Sequence, residues 1–370
     1  MIRVGIASLV VLMLSSVYNM VIVAWILFYL ISSFTTVLPW KHCGNYWNTD
    51  RNHVLGMTSG LHEIGNMRLE IALYLFIAWA TVYLVIWRGL SQSGKIVWVS
   101  ALFPYVCLLV LLVRGVTLSG ATDGLMFYIK PDWSKLLIPR VWIAAGTQVF
   151  YSYGVGFGSL MTLGSYNSFH QNFFRDSAIV CIVNPMTSLL SGTVIFSVLG
   201  HMAFLAGKTV GDVAKSGPGL AFLVYPEVVA RMPASTIWSI LFFVMLLFLG
   251  INSQFCPLEA IAAGLIDQWP RLVTKRRVIN FCLVLVHFLL GLPMTTEAIF
   301  LSSVIRYQPL VYAKTYAYPW WAEMLGWFTS LSSIIMIPTY MVYFLVRTPG
   351  SLRQRIRAGL SPQLLEVYHS

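Results

Sequence analysis

Apolar residues in this chain run on far longer than a soluble helix or strand needs, and the connectors between the runs carry most of the charge. Crossing about 30 Å of hydrocarbon takes roughly 20 apolar residues in a helix. Eight stretches are long enough: about 4–38, 69–87, 96–114, 141–166, 177–205, 235–266, 278–305 and 321–346. None shows the strict alternation of a barrel strand, and unpaired backbone cannot face lipid, so each is predicted as a helix. The first run is too long for a signal-peptide core and lacks a small-residue cleavage site; it reads as a span. The pattern therefore predicts one all-α, polytopic membrane domain over 1–346 with a tail over 347–370.

Composition sharpens this. Of 370 residues, 58% are apolar and 10% charged, with a mean hydropathy of +0.76, against about 25% charged residues in a soluble domain. Such a chain cannot clothe a water-soluble surface, so its partner is the lipid bilayer. The net charge of +11 is scattered between spans, with Lys275, Arg276 and Arg277 the one run of three. Basic residues beside spans set orientation, and no nucleic-acid partner is expected. Lys and Arg are denser in the short connectors, which predicts that these loops and both termini are cytoplasmic in a multi-pass plasma-membrane protein. The five cysteines have no metal-ligand spacing. Cys107, Cys181, Cys256 and Cys282 lie in apolar runs and read as small buried hydrophobes, while Cys43 sits in a polar loop. No nucleophile, metal or nucleotide motif of an enzyme occurs.

Four spans are irregular. Residues 153–158 read Tyr-Gly-Val-Gly-Phe-Gly, and three glycines at alternate positions predict an unwound stretch, since each costs close to 1 kcal/mol in a helix. Unwound backbone at membrane depth survives only inside protein or beside a water-filled cavity. Asn184-Pro185, Asn252-Ser253-Gln254 with Pro257 and Glu259, and Pro293 with Glu297 mark three more candidate breaks. Several broken helices in one chain are the sign of a secondary transporter.

Gln148 and Ser152 lie one helical turn apart on one face, and Asn184 and Ser188 repeat that spacing. Their carbonyl oxygens suit a hard cation and their N–H and O–H groups an anion. The same groups also serve as ordinary interhelical hydrogen-bonding glue, the commoner case. Asn252 and Ser253 form a second candidate cation site if the helix loosens and frees the carbonyl of Leu249. Tyr18 and Asn19 interrupt the first span, where a tyrosine hydroxyl can hold a carboxylate or simply pack between helices. Glu259, near the cytoplasmic end of its span, reads as reaching water.

Several strings resemble the sodium- and chloride-coupled neurotransmitter symporters: residues 33–40 (SFTTVLPW), 47–51 (WNTDR), 148–154 (QVFYSYG), 164–170 (GSYNSFH) and 216–222 (SGPGLAF). SYNSFH and the Ser253–Cys256 string are most similar to the GABA transporter branch. The resemblance covers essentially the whole chain and implies a partial inverted-repeat transporter fold. By its pattern the chain starts at the family's third helix, so the first two are missing. Near Glu297 the ninth is joined to the end of the eleventh, omitting the tenth.

Carried over by position, Ser152 and Asn184 correspond to ligands of the first sodium site, and Leu249, Asn252 and Ser253 to the second. Gln148, Ser152, Asn184 and Ser188 correspond to the chloride site. Tyr18, Phe150, Tyr151 and Gly154 correspond to substrate-binding positions, and Tyr166 and Asp267 to a cytoplasmic gate. The departures are specific. Asn252 stands where most animal members have aspartate, Tyr151 replaces an occluding phenylalanine, Pro185 follows a sodium ligand, and Pro257 replaces a helix residue. Asn52 stands where a loop disulfide's second cysteine is expected, leaving Cys43 unpaired.

Two readings follow. One is a sodium- and chloride-coupled symporter of a small zwitterionic amino acid such as GABA, with Na⁺ and Cl⁻ as co-transported ions. The other is a truncated, non-transporting relative that associates with other family subunits. A dehydrated cation needs about five or six oxygens, more than the residues carried over supply at either site.

Overall fold

The computed structural model describes residues 2–35, 37–40, 68–87, 94–154, 156–168, 170–213, 222, 225–295, 311–312, 316–317 and 324. Glu297, Cys43, Asn52, the tail over 347–370 and all of the 321–346 stretch except Met324 lie outside these residues. The described chain is helical: α1 (Ile2–Ser32), α2 (Leu69–Ile86), α3 (Gly94–Val116), α4 (Ala121–Ile129), α5 (Pro139–Ser152), α6 (Ser159–Ser165), α7 (Phe173–Ala206), α8 (Val210–Val213), α9 (Tyr225–Arg231), α10 (Ser235–Gln268) and α11 (Arg276–Gly291). A two-residue antiparallel strand pair joins Val311–Tyr312 to Tyr316–Ala317. Among the described residues six helical segments are long and apolar enough to cross a membrane: Ser8–Ser32, Leu69–Ile86, Trp98–Val116, Phe173–Ala206, Ser235–Gln268 and Pro270–Thr295.

The bundle is organised around α1 and α10. Val23 approaches Gly250 and Leu9 approaches Gly264, so the two helices run antiparallel. One side of α1 buries Met20, Val23 and Ala24 against Leu75, Trp79 and Val82 of α2 and Leu258 of α10. Toward its other end, Ile26 and Tyr29 pack with Leu108 of α3, Val198 of α7, Val228 of α9 and Phe243 of α10. Tyr29 stacks on Phe243 at 5.2 Å between ring centroids, a geometry that adds to area burial. Helix α4 lies hard against α7, because a Cβ on Gly124 would run into the Phe196 carbonyl and the Gly200 backbone. Small residues at such crossings let backbones approach where lipid gives no hydrophobic drive.

The core is lopsided. Neither α5 nor α6 has a fully buried residue, and the buried positions of α7 begin only at Val194. Thus α5 and the first half of α7 stand out from the packed bundle, while α6 lies on its surface against α10. Cys107 is buried and Cys256 partly so, but Cys181 and Cys282 are exposed, correcting the expectation that all four pack inside. Cys181 belongs to the outstanding half of α7, and Cys282 lies on an outward face of α11.

Candidate functional site

The glycine spacing marks the place where the helix opens. Helix α5 starts on Pro139, whose missing N–H costs nothing in a first turn, and ends at Ser152. Gly154, Gly156 and Gly158 have φ of 62°, 88° and 81°, a region that side chains rarely enter, and α6 resumes at Ser159. The opened backbone is not left bare. Ser8 of α1 donates its hydroxyl to the Gly156 carbonyl at 2.7 Å, and a Cβ on Gly158 would sit 3.3 Å from the Ser8 Cβ. The break is therefore docked on α1, and one freed carbonyl has a donor.

At the end of α5, Ser152 meets Asn184 of α7. Asn184 Nδ2 donates to Ser152 Oγ at 2.8 Å, and the Ser152 hydroxyl lies 3.2 Å from Asn184 Oδ1. Ser188 donates its hydroxyl back to the Asn184 carbonyl at 3.1 Å. Gln148, one turn before Ser152, is exposed and bonds to none of them. Of the four residues read as an anion site, three are thus brought together and one is not.

Pro185 does not break α7, which runs unbroken from Phe173 to Ala206. Proline has no N–H to offer the carbonyl four residues back, that of Cys181. The Tyr153 hydroxyl donates to that carbonyl at 3.2 Å, so the tyrosine beside the α5 break supplies the bond that Pro185 withholds. Tyr153 was missed as a site residue; its neighbours in the string drew attention to the glycines instead.

The substrate positions are only partly gathered. Tyr18 is half-buried on α1. Phe150 and Tyr151 are 61% and 58% exposed, and Tyr151 touches Phe157 edge-on at 6.0 Å between centroids. Gly154 lies in the break itself.

The second cation trio does not converge. Helix α10 continues through Leu249, Asn252 and Ser253 with Pro257 inside it, so the expected loosening is absent. Ser253 returns its hydroxyl to the Gly250 carbonyl at 2.7 Å. Asn252 Oδ1 accepts the Ser100 hydroxyl of α3 at 2.7 Å, and the Leu249 side chain is 45% exposed. The oxygen meant for a cation is committed to a helix–helix hydrogen bond.

Tyr166 and Glu259 form the strongest polar cluster. Glu259 is 2% exposed, not water-facing as read from the sequence. Its Oε1 accepts the Tyr166 hydroxyl at 2.7 Å and pairs with the Arg276 guanidinium at the start of α11. The cluster ties α6, α10 and α11 at one end of the bundle. Asp267 is exposed two turns further along α10, and no ion pair engages it among the described residues. Arg276 was read as orienting charge; the apolar surroundings of Glu259 were the cue that a cation had to reach it.

A chain of apolar helices, one of them opened in its middle beside paired amide and hydroxyl groups, has the architecture of a secondary transporter rather than of an enzyme. The comparisons place it more finely. The profile of the Sodium:neurotransmitter symporter family matches residues 1–52, 51–298 and 293–348, and the chain belongs to that family. It is similar to the mouse sodium- and chloride-dependent GABA transporter 2, with 36% identity over 457 aligned residues covering 97% of this chain and 76% of the relative. It is similar to the creatine transporter of Torpedo marmorata at 35%, covering 97% and 75%. The aligned length exceeds the 370 residues of the chain, so the relatives carry segments within the matched region that it lacks. The fold matches that of MhsT, crystallised with L-phenylalanine, at a TM-score of 0.65 and 24% identity, covering 90% of this chain and 70% of MhsT.

Proposed function

We propose that this chain is a sodium- and chloride-coupled symporter of a small zwitterionic amino acid of the GABA type. What supports the reading most is the juxtaposition of the opened α5–α6 backbone with Ser152 and Asn184. It offers a hydroxyl, an amide carbonyl and an amide N–H within 3.2 Å of one another at the mouth of the break. Ser152 and Asn184 would contribute oxygen to a sodium ion, and Asn184 N–H with the Ser152, Ser188 and Gln148 groups would face chloride. Tyr18, Phe150, Tyr151 and Gly154 would contact substrate, with Tyr166 and Asp267 at the cytoplasmic gate. The relatives at 35–36% identity, a GABA transporter and a creatine transporter, support the substrate class.

A second reading, a non-transporting relative that pairs with complete family subunits in the plasma membrane, is favoured by two specific features. The candidate substrate aromatics are more than half exposed, and Asn252 is already bonded to Ser100. In that reading another subunit covers the open face of α5 and α7.

Uptake separates the two. In cells expressing the chain, with surface labelling as control, radiolabelled GABA should accumulate in sodium and not in choline. Surface-exposed protein with no sodium-dependent uptake of GABA or of creatine would leave the second reading standing and sink the first.

A further inference from the structure

Away from the α5 break, the bundle has a cavity of ≈ 450 Å³ where α3 and α7 end and α10 is about to begin. Its walls are Arg114 at the end of α3, Thr117 and Ser119 in the turn that follows, His201 and Leu205 on α7, and Met232 and Pro233 before α10. Among the described residues no acidic side chain lines it. Arg114 is half-buried, and no ion pair engages it among the described residues. An arginine that borders a cavity without a carboxylate partner can turn its terminal guanidinium N–H groups to an anionic acceptor there. The ring of His201 is fixed by its Nδ1 at 2.8 Å from the Ser119 carbonyl. That carbonyl accepts, so Nδ1 carries the proton and Nε2 remains as the ring's second polar atom. Leu205, Met232 and Pro233 add an apolar flank on the same wall.

We propose that this cavity binds a phosphate- or carboxylate-bearing anion with an apolar neighbour, such as the headgroup of an anionic phospholipid. Arg114 holds the anion through its fork of N–H donors, the arrangement that suits planar or tetrahedral oxyanions. His201 Nε2 takes a hydrogen bond from a hydroxyl of the glycerol headgroup beside it. The apolar wall receives the adjoining glycerol or short carbon chain. Helix ends lie at the level of lipid headgroups, so a headgroup can reach the cavity from the bilayer.

The test uses the full chain purified in mild detergent, with retained lipid read by native mass spectrometry. Phosphatidylglycerol should be retained about tenfold more than phosphatidylcholine, the gain that one charge-assisted hydrogen bond supplies. Arg114→Gln should abolish that preference. Leu205→Trp, at a position already 45% exposed, should fill the cavity and do the same while leaving the melting temperature near that of the parent. Inorganic phosphate then identifies the source: displacement of the lipid by millimolar phosphate assigns the site to free anions, and resistance assigns it to the lipid headgroup. Equal retention of the two lipids by the parent chain together with no phosphate binding would overturn the proposal. So would a folded Arg114→Gln or Leu205→Trp variant that keeps the parent's preference.

Discussion

The most consequential single residue in the described structure is Glu259, a carboxylate 2% exposed in an apolar helix and matched by Arg276 and Tyr166. Removing one partner of a buried pair strands the other, at a cost of about 3 kcal/mol, whereas replacing both by apolar groups is often near neutral. Glu259→Met should therefore lower the melting temperature in detergent markedly, and adding Arg276→Met should recover most of the loss. A single variant as stable as the parent would contradict the pairing. Asn252 tells the opposite story. Its carbonyl oxygen is committed to Ser100, so restoring charge is the way to test the second cation site. Asn252→Asp should raise the sodium dependence of thermal stability above that of the parent; unchanged behaviour would show that this trio holds no ion. Neither pairing was legible in the sequence. Arg276 lies 17 residues from Glu259 and Ser100 lies 152 residues from Asn252, and periodicity speaks only of neighbours within a turn or two.

At the scale of elements, local chemistry was legible where it acts locally and misleading where tertiary partners intervene. Three alternate glycines announced the opening between α5 and α6, because left-handed backbone is a property of those residues themselves. Prolines announced breaks that do not occur: Pro185 and Pro257 both sit inside continuous helices. At Pro185 the reason is visible, since the Tyr153 hydroxyl satisfies the orphaned Cys181 carbonyl from another helix. The glycines give a clean contrast. Gly156 has nothing within 4 Å of a would-be Cβ, so Gly156→Ala tests φ alone and should destabilise by about 1 kcal/mol. Gly146 is equally open but lies mid-helix in α5, so Gly146→Ala should stabilise by about 1 kcal/mol. Opposite signs in thermal unfolding are the expected outcome; equal signs would contradict the left-handed backbone at Gly156. Ser8→Ala should add to the loss by stripping the donor from the Gly156 carbonyl.

Over the whole molecule, the membrane-protein class and the helical fold were readable from apolar run lengths and charge scarcity alone, and the family from short strings spread along the chain. Which faces are packed was not readable, because apolar residues serve lipid and core equally well. The structure resolves this into a bundle around α1 and α10, with α6 on its surface and α5 and half of α7 outside it. Polar groups on lipid-facing surfaces are expensive, so the exposed Gln148, Ser152 and Ser188 imply a further covering element, water, or a second subunit in the functional state. Cysteine chemistry reports on that cover: Cys181 should react with a lipid-soluble maleimide in the chain alone, while buried Cys107 should not. Loss of Cys181 labelling on co-expression with a complete family member would place a partner on that face. The most direct test of the ion site is the melting temperature of the purified chain in sodium chloride against equal choline chloride. Sodium at a hundred times its dissociation constant stabilises a one-site protein by about 2.7 kcal/mol. The parent chain should therefore melt higher in sodium, and Ser152→Ala or Asn184→Ala should erase the difference. Identical melting of the parent in both salts would contradict a sodium site at the α5–α6 opening.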